Sequence, residues 1–439
     1  MRAIAGALVA LLVWAPIARS QSAPNDLDSL IRIGLARNPA IQVAEQNQRA
    51  ARARIGPAGA WADPVLGLGI TDLPIARPGF YDDFTMKVAR VTQTLPLAGA
   101  PSARSRAAQR ETDAAGYRVD ATRLDLIEHI KDAYYELAYL DRALAIVRQS
   151  HAVLTDLGRA SEARYAAGAG SQQDALKARI EAARLADDAV ALGAQRSAAL
   201  AQLNAALDRP SDEPVDSAVV PIAVARAAVP DSAAAVTFVS PALGAVAAHS
   251  PLPPLAALQA EAEQSSPELR EHESMIAADA ARVDLARKER FPDVDVSLEY
   301  DQRSGFPDFV TAMVSLPIPI HGGRKQGQMV VEARSQLAAD EAQHHASVND
   351  VRAMVAGQYA DVERARTELA LYTKAVLPQA SASLQSAAAD YQAGRGDFAS
   401  VLAAQAAVFE YETNYYRALT DFAKGVAKLE RTVGKEILR

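Results

Sequence analysis

The longest uninterrupted helical pattern of the chain runs from Ala103 to Ala167 and reads ARSRAAQRETDAAGYRVDATRLDLIEHIKDAYYELAYLDRALAIVRQSHAVLTDLGRASEARYAA. It contains no proline, and only Gly116 and Gly158 weaken its helical propensity. A single helix over this segment would be about 98 Å long. No compact core requires a helix of that length, whereas coiled coils and tubes do. The segment therefore predicts a long, thin helical architecture.

The chain contains this pattern twice. A second long helix is predicted from about Arg324 to Gln392, with a bend at Pro378. Each long helix reaches a Tyr-x-x-Gly turn, at 165–168 and 391–394, and a returning helix of 37 residues follows, 171–207 and 397–433. Matching landmarks lie 223 to 229 residues apart. Further pairs are Asn38-Pro39 with Ser266-Pro267, Asp63-Pro64-Val65 with Pro292-Asp293-Val294, and Leu95-Pro96-Leu97 with Ile318-Pro319-Ile320.

These landmarks divide the chain into two repeats with a linker between them. Residues 1–20 have the charged start, apolar stretch and small residues of a signal peptide. Each repeat is predicted to run helix, strand pair, long helix, tip turn, helix. The first is predicted at 21–207, with its strand pair at about 64–96 and its tip turn at about 166–171. The second is predicted at 255–439, with a strand pair at about 293–317 and a tip turn at about 392–397. Proline-rich residues 208–254 are expected to wrap around the outside without forming a core.

The composition excludes several classes of function. The chain has no cysteine, which removes thiol catalysis, disulfides and thiolate metal sites. A formal net charge of −7 without basic clusters is unfavourable for binding nucleic acid. No Walker loop, dinucleotide fingerprint or His-Glu-x-x-His motif occurs. We therefore predict no enzymatic activity, no cofactor and no nucleic-acid partner.

The strands carry a membrane signal. In residues 294–301, apolar and polar side chains alternate without error, and residues 309–316 continue the pattern. In the first half, Leu66, Leu68 and Ile70 share one face, and Phe84, Met86 and Val88 share a face in the next strand. Alternating segments of about ten residues are typical of transmembrane β-barrels. Four strands cannot close a barrel in lipid. Three copies would supply twelve strands.

Over nearly the whole predicted mature length, the chain resembles the TolC-like outer-membrane efflux family. The resemblance rests on Asn38-Pro39, the Leu95-Pro96-Leu97 and Leu316-Pro317-Ile318-Pro319 strand exits, and the two Tyr-x-x-Gly turns. It implies a mainly α fold with a small β part. Long antiparallel coiled-coil helices would form a helical barrel, and four strands per protomer would contribute to a trimeric 12-stranded outer-membrane β-barrel.

The resemblance also implies location and partners. The protein would be a homotrimer in the lipid of the cell outer membrane, extending into the periplasm. It would act as the passive duct of a tripartite pump, with a periplasmic adaptor (membrane-fusion protein) and an inner-membrane RND-type pump. Residues 170–178 and 203–207 resemble the partners of heavy-metal efflux pumps. A multidrug or small-organic duct, a type I secretion duct, and a periplasmic coiled-coil adaptor are the alternatives.

Two sets of functional residues follow from the resemblance. A periplasmic gate is expected at Asp174, Tyr391 and Arg395, although Asp174 could equally be a helix-start acid and Arg395 a solvated tip residue. The contacts with the adaptor are expected at the tips: Gly168, Ala169, Gly170, Ser171, Gly394, Gly396 and Asp397.

Two further clusters of titratable side chains stand out in the sequence. Asp295, Glu299 and Asp301 would form acidic rings in a trimer and favour cations, or would simply be solvated pore lining. Asp340 and His344 share a helical face next to Glu341 and His345. Such clusters on long helices are usually solvated, so no metal site is predicted.

Overall fold

The computed structural model describes residues 26–76, 78–81, 83–216, 218–228 and 252–438. The predicted signal peptide and residues 229–251 of the predicted linker lie outside them. The first half contains α1 (Leu27–Arg37), α2 (Pro39–Gly59), β1 (Val65–Thr71), β2 (Met86–Leu95), α3 (Ala100–Ala166) and α4 (Gln172–Ala206). After α5 (Ile222–Ala228), the second half contains α6 (Leu255–Ser265), α7 (Pro267–Lys288), β3 (Val294–Arg303), β4 (Phe309–Ser315), α8 (Gln326–Leu371), α9 (Leu377–Gln392) and α10 (Phe398–Val433). The predicted mainly α class with a small β part and an internal repeat is confirmed.

The two long helical segments differ in continuity. Helix α3 is unbroken over 67 residues, about 100 Å. Its counterpart is interrupted by a π-helical turn, Tyr372–Val376, which ends two residues before Pro378 in the first turn of α9. Proline lacks the N–H that continues the helical ladder, and a π-turn is one way to accommodate it. No helix among the described residues is both long and apolar enough to cross a membrane.

The helix that opens each half is split in two, where the sequence predicted one. The breaks fall at Asn38-Pro39 and Ser266-Pro267, because a residue before proline avoids the helical conformation. Asn38 secures the first break, since its Oδ1 accepts from the Ala40 N–H at 2.8 Å. Its Nδ2 also donates to the carbonyl oxygen of Ala206 at 2.9 Å, at the end of α4. One side chain therefore joins two helix ends.

The four strands form one antiparallel sheet in the order β1-β2-β3-β4. The central pair joins the two halves of the chain, from Met86 opposite Arg303 to Leu95 opposite Val294. Strands β1 and β4 are the outer strands, so within the described chain each has one edge without a strand partner.

One face of this sheet is apolar and exposed. Leu68, Leu298 and Val314 are 76%, 57% and 70% exposed. The register places Leu66 opposite Val91, which in turn lies opposite Leu298. Within β2, Val91 and Ala89 continue the face of Leu66 and Leu68, whereas Met86 and Val88 share the opposite face. Phe84 precedes the strand.

The main hydrophobic core lies where α1, α3, α4, α6, α8 and α10 converge, around residues such as Ile130, Leu203 and Phe422. The linker was expected to stay outside; this holds for the exposed residues 210–214 and is wrong for several residues between 215 and 228. Val215, Val224 and Ala228 are buried in the same core. The reason is that α5 is a short apolar helix that gains more by burial than by exposure.

Candidate functional site: the helical tips and the polar face of the sheet

The two tip turns have the same backbone. In the first, Gly168 N–H donates to Tyr165 O and Ala169 N–H to Arg164 O, both at 2.9 Å. In the second, Gly394 N–H donates to Tyr391 O at 3.1 Å, and Arg395 N–H donates to Asp390 O at 2.9 Å. This pattern is the Schellman motif, with a left-handed residue after the helix. Each tip is thus a defined and solvent-exposed structure.

The two glycines in each tip turn are favoured for different physical reasons, one for its backbone conformation and the other for the space around it. Gly168 and Gly394 have φ of 71° and 72°, a conformation that costs little only for glycine. Gly170 and Gly396 lie where a Cβ would be crowded by the preceding helix. A Cβ on Gly170 would lie 3.1 Å from Arg164 Cβ, and one on Gly396 would lie 3.0 Å from Asp390 Cβ.

Each returning helix begins with a side-chain cap. Ser171 Oγ accepts from the Gln173 N–H at 3.1 Å, and Asp397 Oδ1 accepts from the Ser400 N–H at 2.7 Å. The hydrogen bond with the Ser400 side chain is the main cause that lowers the pKa of Asp397. The predicted tip residues are thus ordered, although their contact with an adaptor stays a prediction.

The tyrosines of the two turns have different surroundings. Tyr165 is 50% exposed, whereas Tyr391 is 8% exposed. Tyr391 packs with Phe398 at a ring-centroid distance of 5.4 Å, in a small core that includes Ala178 of α4. Its hydroxyl lies 3.3 Å from Ser161 Oγ. The second tip therefore packs against the first hairpin through the Tyr391 ring.

Arg164 completes that contact and was not singled out from the sequence. Its guanidinium lies 4.5 Å from the centroid of the Tyr391 ring. Nη1 donates to the Tyr391 carbonyl oxygen at 2.9 Å, and Nη2 to the Ala169 carbonyl oxygen at 3.5 Å. A signal was available, because the repeat aligns Arg164 with Asp390, so the two tips differ in charge immediately before the tyrosine.

The three predicted gate residues are not joined within one protomer. Asp174 is half-buried in the first turn of α4, and within the described chain its side chain makes no bond to Tyr391. Arg395 pairs with Asp390 at 3.2 Å and is 74% exposed. A role for Asp174 and Arg395 in a gate stays a prediction, which a contact between protomers could satisfy.

The three predicted pore-lining acids share one face of the sheet, opposite the apolar face. Asp295 accepts from Thr94 Oγ1 at 2.6 Å, and Asp301 accepts from Thr311 Oγ1 at 3.4 Å. Glu299 forms an ion pair with Arg90, which lies opposite it in β2. Arg90 was not identified from the sequence, because the alternation in β2 is too weak to show which of its side chains accompany Glu299. This polar face also carries Val88, Phe309 and Met313, and one of its acids is neutralised.

A further polar cluster lies between α7 and α8. Asp279 is buried and pairs with Arg282. Burial is the main cause that raises the pKa of Asp279, and its hydrogen bond with Asp340 adds to that rise. His344 lies nearby, its ring 6.4 Å from that of His272. Among the described residues, no three His, Asp or Glu side chains form a group that could hold a metal ion.

Paired hairpins of very long helices, joined to a small sheet with one exposed apolar face, define a channel protomer rather than an enzyme. The outer membrane efflux protein family model matches residues 30–209 and 258–435, which are most of the chain. The chain belongs to the outer membrane efflux protein family. It is accordingly an outer-membrane efflux protein that extends into the periplasm.

Individual relatives agree with this assignment. Protein CyaE of Bordetella pertussis is 30% identical over 357 residues, which cover 76% of this chain and 69% of that protein. The cobalt-zinc-cadmium resistance protein CzcC of Cupriavidus metallidurans is 24% identical, covering 79% and 77%. The structure of the outer-membrane channel OprN superposes with a TM-score of 0.76 at 20% identity, covering 93% of this chain and 89% of that one. The fold is therefore that of an outer-membrane channel.

Proposed function

We propose that three copies of this chain form the outer-membrane duct of a tripartite efflux pump. The observation that carries the proposal is the sheet, which combines an exposed apolar face with two edges that lack a strand partner among the described residues. Unpaired backbone groups are not tolerated in hydrocarbon, so the edges of β1 and β4 must be covered. Pairing β1 of one copy with β4 of the next covers both, and three copies give a twelve-stranded barrel.

The helical tips would meet the other components. A periplasmic adaptor would bind the exposed turns around Gly168 and Gly394, and an inner-membrane RND-type pump would supply the energy. The defined turn geometry supports this role, because a rigid exposed tip loses little entropy on binding. Asp174, Tyr391 and Arg395 would restrict the periplasmic end of the duct.

We further propose heavy-metal cations as the exported substrates. A relative that bears the name of a cobalt-zinc-cadmium resistance protein supports this assignment. Asp295 and Asp301 on the polar face would attract cations if that face lines the pore. One observation favours the second candidate, a duct for small organic molecules: Arg90 neutralises Glu299 and weakens the negative potential.

Fractionation followed by chemical cross-linking tests the assembly. We expect the protein in the outer-membrane fraction, with cross-linked species up to three copies. A monomer in the soluble periplasm would contradict the duct.

Deletion of the gene tests the substrate class. Export of metal cations predicts greater sensitivity to cobalt, zinc or cadmium than to dyes and antibiotics. The reverse pattern would favour the small-organic duct and leave the assembly unaffected.

A single substitution tests the gate. Asp174→Ala is expected to raise single-channel conductance in planar bilayers, because it removes one of the polar side chains proposed to hold the periplasmic end closed. Unchanged conductance would remove Asp174 from the gate without affecting the duct.

A further inference from the structure

We propose that Arg164 is a positioning residue that clasps the second hairpin to the first at the tips and so restrains opening of the periplasmic end. The proposal rests on the proposed duct function and adds to it a residue outside the predicted gate. The first hairpin is α3 with α4, and the second is α9 with α10.

Arg164 contacts both hairpins at once. On its own hairpin, it donates to the Ala169 carbonyl oxygen in the first tip turn. On the other, it donates to the Tyr391 carbonyl oxygen and covers the face of the same ring. The guanidinium is suited to this because it is planar and carries several donors in a fixed fork. A cation over an aromatic ring adds attraction when the pair is partly desolvated.

The backbone around Arg164 is built to hold it. Gly170 leaves room beside Arg164, since a Cβ there would lie only 3.1 Å from Arg164 Cβ. Ser161, one turn earlier on the same helix, is buried and reaches the Tyr391 hydroxyl. Two side chains of α3 thus hold the two ends of one tyrosine.

Few other polar contacts could do the same work. Among the described residues near the tips, the hydrogen bonds that join the two hairpins are those of Ser161 and Arg164 to Tyr391. The charges of Lys177 and Asp397 also attract each other between the hairpins. The next polar contact back along the helices places Arg142 over the ring of Tyr416. It lies about 33 Å back along α3, at 1.5 Å per residue. Without the clasp, the tips would be held together mainly by the small core around Tyr391 and Phe398.

The contact exists because the two repeats differ in the residues at and next to the turn tyrosine. The residue that corresponds to Arg164 in the second tip is Asp390, which pairs with Arg395 of its own turn. The corresponding tyrosine, Tyr165, is exposed. The arginine of this contact therefore belongs to the first hairpin, and the tyrosine belongs to the second.

Single-channel recording of the full-length assembled protein in planar bilayers tests the proposal. Arg164→Gln is expected to raise the open fraction about tenfold, because one charged hydrogen bond and one cation–π contact are lost. Arg179→Gln is the matched control. It removes an arginine that pairs with Glu162 within the first hairpin and does not touch Tyr391. We expect the control to behave as wild type.

A double-mutant cycle separates the clasp from a general loosening. Arg164→Gln should have a smaller effect on a Tyr391→Leu background, since the cation–π contact is already absent there and only the hydrogen bond to the backbone carbonyl remains to be lost. Tyr391→Phe should keep most of the effect, because the ring remains and only the bond to Ser161 is lost. Arg164→Lys, which keeps the charge but not the fork, should be intermediate. Additive effects of Arg164→Gln and Tyr391→Leu would overturn the proposal, as would equal effects of Arg164→Gln and Arg179→Gln.

Hydrogen exchange provides a second readout that does not require ion conduction. In the assembled protein, Arg164→Gln should speed exchange in residues 384–401 and leave residues 172–190 nearly unchanged. If neither the wild type nor any variant conducts ions, the duct function is contradicted. The exchange rates at residues 384–401 would still show whether Arg164 holds the second tip. Unchanged exchange at 384–401 would contradict the clasp even in a working channel.

Discussion

The two helical tips share a backbone and differ in what their side chains do. Gly168 and Gly394 have nearly the same φ, and both turns close with the same hydrogen bonds. Yet Tyr165 is exposed while Tyr391 is buried against the other hairpin. The comparison shows that the requirements of the turn were kept in both copies of the repeat, whereas the residues around it diverged. The second tip is therefore the one whose position depends on its neighbour.

The largest difference is expected between the two tyrosines. Tyr391→Ala should lower the free energy of local opening of the second tip by about 3 kcal/mol, because a buried aromatic ring is lost. Tyr165→Ala should change the first tip by less than about 0.5 kcal/mol, as is usual for exposed positions. Hydrogen exchange of the tip segments measures both. Equal losses in the two tips would contradict the asymmetry.

The turn glycines should behave alike. Gly168→Ala and Gly394→Ala are each expected to cost about 1 kcal/mol, since both force a Cβ into a left-handed conformation. Gly193→Ala is the control. That residue lies within α4, where a Cβ would meet no atom within 4 Å, so alanine should stabilise the helix slightly. Urea titration followed by exchange at the tips measures the costs. A cost in one tip alone would show that the turns are not equivalent.

The smallest difference concerns the two caps and depends on pH. Ser171→Ala and Asp397→Ala should both destabilise the start of the returning helix. Only Asp397 titrates, and its pKa is lowered in the folded protein by hydrogen bonding to Ser400. Its stabilising effect is therefore fully present above the unfolded pKa of about 3.9, and is lost as the pH falls through the lower folded pKa.

Exchange rates at residues 398–404 between pH 3 and pH 6 would test this prediction, after correction for the intrinsic pH dependence of exchange. Asp397→Asn is the control, since it can cap the helix without titrating. A pH dependence that persists in Asp397→Asn would assign the effect to another group.

Much of the fold could be predicted from the sequence because it depends on local rules. The proline-free length of α3, the repeated Tyr-x-x-Gly turns and the alternation in β3 each specify structure over neighbouring residues. The break at Asn38-Pro39 could also have been predicted, since the residue before proline avoids the helix. The burial of α5 could not, because it depends on which distant helices leave an apolar surface uncovered.

The candidate site was less predictable because it depends on contacts across long sequence distances. Tyr391 was singled out, but Arg164 and Ser161 lie more than 200 residues away in sequence. Arg90 was missed for a related reason. The alternation of apolar and polar residues in β2 is too weak to assign its side chains to the two faces. Only the pairing with β3 determines which side chains lie on the face of Glu299.

The central claim is that copies of this chain close into a sealed ring through the edges of β1 and β4. The chain has no cysteine, so any disulfide that forms must come from the introduced cysteine pairs. Leu68→Cys in β1 can be combined in turn with Val310→Cys, Ala312→Cys or Val314→Cys in β4, to sample the unknown register between copies. In intact outer membranes, oxidation of one of these pairs should give covalent dimers and trimers and nothing larger. Monomers in every pair, or a ladder that continues past three copies, would contradict the closed trimeric duct.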